Sequence, residues 1–91
     1  MKVRLGIMPD YNADPAIAGL RIAGTSPDSP ATKAGLQEGD VITIIDSDKI
    51  GSLGDYMTVL GKHKPGDVVK ITVERDKKPV ELSATLADPK G

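Results

Sequence analysis

The chain has 91 residues, with 12 basic and 13 acidic side chains, a net charge of −1 and no cysteine. A fold this short buries only about 60–65% of its unfolded surface, so a single domain with one core is expected over residues 1–91. The balanced charge, without a long block of either sign, argues against nucleic acid as a partner. No apolar run approaches the ~20 residues that cross a bilayer, which argues against membrane insertion. The missing thiols exclude disulfides but leave the compartment open.

With no Phe or Trp and only Tyr11 and Tyr56, the interior must be built from Val, Ile, Leu, Ala and Met. Val3 to Asp10 reads as a first strand, since Val3, Leu5 and Ile7 alternate with Lys2, Arg4 and Gly6 before Met8-Pro9 disturbs the pattern. Met1-Lys2-Val3 leads into it without a signal-peptide core, so the segment reads as part of something longer. Turn formers fill Tyr11 to Pro15, and Gly19 to Ala23 resumes a strand. Ser29 can cap a short helix that starts with Pro30 and ends at Gly35.

Val41 to Ile45 is nearly continuous in β-branched residues, which predicts a central strand buried on both faces. Asp46-Ser47-Asp48 is a turn, and Lys49-Ile50 can form a brief strand. Ser52 followed by Asp55 approximates a capping box, which predicts a second helix from Leu53 to His63, closed by Pro65-Gly66. Along it Leu53, Tyr56, Met57 and Leu60 form one apolar stripe. Asp67 to Arg75 and Pro79 to Leu86 alternate as a hairpin about Asp76-Lys77-Lys78, and Ala87 to Gly91 is read as a frayed tail.

The reactive side chains read as structural. His63, the sole histidine, lacks partners for a familiar zinc set and is expected to be a solvated helix-end residue. Ser26, Ser29 and Ser52 fall at turns and caps with no oriented base beside them, and Asp46, Asp48 and Asp55 lack EF-hand spacing. No catalytic residue, metal site or cofactor is therefore expected.

Three segments, in this order, resemble the PDZ family. Leu5-Gly6-Ile7 stands where that family has its carboxylate-binding loop. Ser29 to Ala31 through Ala34-Gly35-Leu36, followed by Gly39-Asp40-Val41-Ile42, is similar to its small helix and Gly-Leu, Gly-Asp signature. Ser52 to Leu60, closed by Pro65 to Val68, is similar to its groove helix. The signature has physical tasks: Gly35 ends a helix in the left-handed region, Leu36 folds onto the core, Gly39 turns tightly, and Asp40 bonds loop amides.

The resemblance covers residues 4–86 and implies an α+β fold, a five- to six-stranded, partly open antiparallel barrel or sandwich with two helices. The late closing strand resembles the circularly permuted PDZ domains of bacterial trypsin-like proteases. The run Leu5 to Tyr11 resembles the opening of those appended to bacterial zinc-dependent aminopeptidases. It implies a non-catalytic peptide-binding module of a periplasmic or secreted peptidase, and hence two partners: the parent peptidase domain and apolar C-terminal or extended peptide segments. A packing or oligomerisation domain with a degenerate groove is the alternative.

By the same resemblance, Arg4, Leu5, Gly6 and Ile7 hold the peptide carboxylate, and Ile7, Met8 and Pro9 form the pairing strand. Leu53, Met57 and Leu60 line the pocket with Tyr56 at its rim. Leu53 stands where other family members that select Ser or Thr near the peptide end carry His, which implies an apolar preference. Pro9 is two residues beyond Ile7 and has no N–H, so one rung of the added ladder is expected to be missing.

Overall fold

The computed structural model describes residues 3–12 and 17–88. Among the described residues, six strands and two helices follow in the order β1 (Ile7–Pro9), β2 (Leu20–Thr25), α1 (Pro30–Ala34), β3 (Val41–Ile45), β4 (Asp48–Lys49), α2 (Leu53–Leu60), β5 (Val68–Arg75) and β6 (Lys78–Thr85). All pairings are antiparallel, in the order β1-β2-β3-β5-β6 with β4 attached to β3. This is the expected α+β class, an open sheet with two helices. Its core is almost wholly aliphatic, with Ile22, Ile42, Ile45, Leu60, Val69, Ile71 and Val73 all fully buried.

The first strand is shorter than alternation predicted. Gly6 takes φ +90° and the Leu5 carbonyl accepts from the Ala31 N–H at 2.8 Å, so the chain bends into α1 before β1 begins. The expected turn at Tyr11 to Pro15 is present at Tyr11-Asn12, while residues 13–16 lie outside the described residues. The strand expected from Gly19 to Ala23 runs instead from Leu20 to Thr25.

Central β3 was expected to be buried on both faces, yet only Ile42 and Ile45 are fully buried. A bulge in its pairing with β5, between Ile42 and Ile44, breaks the two-residue period and turns side chains three apart to the same side.

Helix α1 has the predicted caps. Ser29 Oγ accepts from the Thr32 N–H, Pro30 opens the helix, and Gly35 at φ +96° closes it. At α2 the Ser52 hydroxyl accepts from the Asp55 N–H at 3.2 Å, and the Asp55 carboxylate accepts from the Gly51 N–H at 2.9 Å. This helix ends at Leu60 instead of His63. Lys62 and His63 donate back only three residues, to Val59 and Leu60, so the last turn tightens out of α geometry.

His63 is not a solvated helix end. Its ring is flanked by Asp67 Oδ2 at 3.1 Å from Nδ1 and by Asp46 Oδ2 at 3.6 Å from Nε2, which places it between the β3–β4 turn and the start of β5.

The β5–β6 hairpin closes through Asp76 and Lys77, both at positive φ (53° and 66°), as a two-residue turn of primed type requires. Asp76 is tolerated in that region, but Lys77 is not a residue that favours it. Lys77→Gly is expected to stabilise the protein by about 0.5–1 kcal/mol, seen as a higher urea midpoint with unchanged slope.

The start of the tail is anchored. Arg4 and Ala87 exchange two backbone bonds, 2.7 and 3.1 Å, which fastens the chain just before Gly6 to the end of β6. Residues 89–91 lie outside the described residues.

Candidate functional site: a groove between β1 and α2

A cavity of about 480 Å³ opens between β1 and α2. Val3, Leu5 and Tyr56 contribute buried apolar surface to it, and Arg4, Gly6 and Ile7 lie at one end. Leu53 and Met57 form the helix wall, with Pro9, Tyr11 and Ser26 completing the lining.

Helical geometry explains which side chains face it. Leu53 and Met57 are four residues apart and share the groove face, where Met57 stays 48% exposed. Tyr56 and Leu60, also four apart, turn inward. Leu60 is fully buried and is not part of the lining, while Tyr56 is a buried floor residue where a rim position was expected. Its burial pushes the phenol pKa strongly upward, so the hydroxyl is neutral at ordinary pH. Sequence reading placed Tyr11 at a turn and at the end of the Leu5 to Tyr11 run, and missed it as a lining residue. Its signal was an aromatic ring among small polar residues.

Hydrogen bonding defines the loop end. The Leu5 carbonyl is taken by Ala31 and the Gly6 carbonyl by the Ser26 N–H at 2.8 Å. The N–H groups of Leu5 and Gly6 find no acceptor among the described residues. Two unused donors therefore lie beside apolar walls, with the Arg4 side chain also lining the cavity. Such a site suits an anionic group that carries an apolar side chain.

Among the described residues β1 pairs only with β2, which leaves its other edge free. Gly6 bonds to Ser26 of the β2 side and Asp10 donates to the Arg21 carbonyl at 3.0 Å, so the even-numbered residues turn their backbone groups toward β2. Ile7 and Pro9 turn theirs away, toward the groove. A second depression of about 440 Å³ lies between α1 and β6 and is more charged, with Arg4, Asp28 and Lys33 in its lining.

The sequence model of the PDZ domain family matches residues 3–86. The chain belongs to the PDZ family. This PDZ domain is 38% identical over 68 residues to the Do-like serine protease HtrA of Lactobacillus helveticus, a match covering 75% of the chain and 16% of that protein. Among solved structures it is similar to the HtrA-type protease AlgW with decapeptide, with a TM-score of 0.86 and 28% identity over 96% of this chain and 29% of that one. It also resembles an aminopeptidase N family protein from Idiomarina loihiensis, with a TM-score of 0.80 and 31% identity over 97% of this chain and 14% of that one. The chain thus spans less than a third of each relative, and the region in common is the PDZ part of peptidases.

Proposed function

We propose that this PDZ domain binds the C-terminal end of a peptide or protein as an antiparallel strand added to β1, on behalf of a parent peptidase that carries the catalytic machinery. The observation that carries this reading is the pair of unused N–H groups at Leu5 and Gly6, beside an apolar cavity and continuous with a free strand edge. The donors suit a terminal carboxylate, the edge suits the peptide backbone, and Leu5, Ile7, Leu53 and Met57 suit an apolar last side chain. The AlgW structure, solved with a decapeptide, supports the reading by likeness alone.

Titration of isotope-labelled protein with a decapeptide ending in valine tests it. Amide shifts are expected at residues 5–11 and 53–57, and they should vanish when the peptide carries a C-terminal amide. Shifts confined to the α1–β6 depression, or none at all, would favour a packing domain with a degenerate groove.

A further inference from the structure

Resting on that reading, we infer that the groove has a short reach: it pairs only with the last three residues of its ligand and is indifferent to what precedes them. The inference comes from which backbone groups β1 leaves free. With Gly6 and Asp10 bonded toward β2, the outward groups of the strand are the N–H and C=O of Ile7 and the C=O of Pro9. An antiparallel ligand whose carboxylate meets the Leu5 and Gly6 amides places its last residue opposite Ile7 and its third-last opposite Pro9.

At that second rung the ligand can donate its N–H to the Pro9 carbonyl, but its own carbonyl finds no donor, because proline has none. The next outward position would be Tyr11, where pairing has already ended. Tyr11 and Asn12 form a turn, and the Asn12 N–H is taken by the Asp10 carboxylate at 3.0 Å. The Asp10 N–H is itself committed to Arg21, and the Asp10 carboxylate lies 3.6 Å from the Arg21 guanidinium. The strand therefore ends at Pro9, and the chain turns away at Tyr11-Asn12. An internal segment of a longer chain would find one complete rung and half of another, while a chain end adds its carboxylate to the same two. Proline on the edge also discourages pairing with other exposed strands.

The test uses acetylated peptides of three, five and ten residues with a common apolar C-terminus, with affinity measured by the same amide shifts. The three dissociation constants are expected to agree within about threefold, whereas each further rung would tighten binding by roughly two- to tenfold. N-methylation of the third-last residue should weaken binding several-fold, and N-methylation of the fifth-last should not. Pro9→Val, checked for folding by circular dichroism, should tighten all three peptides by a similar factor. A decapeptide more than tenfold tighter than the tripeptide, or a penalty for methylation at the fifth-last residue, would overturn the short reach while leaving the groove as the binding site. Failure of even the decapeptide to shift β1 would remove the groove reading and the inference with it.

Discussion

Replacing Gly6 with alanine is expected to destabilise the protein by about 3 kcal/mol or more, a large share of the roughly 5–15 kcal/mol that holds a domain of this size together. Two causes add. Gly6 sits at φ +90°, a region that L side chains rarely adopt, and a Cβ there would lie 2.3 Å from Ser29 Cβ and 2.6 Å from its Oγ. Ser29 cannot yield freely, because it is fully buried and its hydroxyl caps α1 through the Thr32 N–H. The strain would thus reach both the N–H groups proposed to receive a carboxylate and the start of the helix behind them. Urea unfolding of Gly6→Ala against Gly6→Ala/Ser29→Gly separates the causes. The second change removes the clashing atoms while glycine remains an adequate N-cap, so it should recover part of the loss and leave the backbone strain. Wild-type stability in the single variant would contradict the described loop.

A comparable loss is expected on removing Arg75. Its Nε donates to Asp40 Oδ1 at 2.8 Å, and its Nη2 donates to Asp40 Oδ2 at 2.7 Å and to the Gly35 carbonyl at 2.9 Å. Asp40 Oδ2 also accepts the Gln37 N–H. One side chain of β5 thereby holds the end of α1, the loop to β3 and a carboxylate that is 2% exposed. Deleting one partner of a buried ion pair costs about 3–5 kcal/mol, and with the Arg75 side chain 26% exposed the lower end is expected. Arg75→Lys should rescue little, since an ammonium cannot supply the two-toothed fork.

The same pair sets an acid dependence. Burial pushes the Asp40 pKa up, but the Arg75 hydrogen bonds, the Gln37 N–H and the Arg75 charge outweigh it and hold the carboxyl below its ordinary value of 3.8. The unfolded chain therefore takes up the proton more readily than the native one. Stabilisation from Asp40 is complete above the ordinary value and is lost as pH falls through the lower native value. Asp67, lowered by the Lys64 N–H and by His63, acts in the same direction. Urea midpoints measured from about pH 7 down to about pH 3 should fall less steeply in Asp40→Asn, from a lower start, than in the wild type. An equal slope would show that other carboxylates carry the acid limb.

Much of this was legible in order along the chain. Caps and turns depend on residues three or four apart, so Ser29, Gly35 and Ser52 were placed from local chemistry, and so was the hairpin, whose expected connection Asp76-Lys77-Lys78 is shortened to Asp76-Lys77 because Lys78 already pairs in β6. The two-residue period of a strand was enough to set Pro9 on the same edge as Ile7. Errors arose where contacts across the fold overrode a local pattern. The bulge opposite β5 broke the period of β3, and tightened turns ended α2 early. The inward helix face claimed Tyr56 and Leu60 while Leu53 and Met57 faced the groove.

The sequence by itself determined the class of fold and the missing donor at Pro9, because strand and helix periods and the chemistry of proline are local, while the family was read from the resemblance of three segments taken in order. Tertiary structure alone decided that Gly6 is required by Ser29, 23 residues away, and that Asp40 answers to Arg75, 35 residues away. It also decided that Ala87 secures the start of the loop through Arg4. A pairing pattern carries no local signal for partners so distant; only the packing of the sheet brings them together.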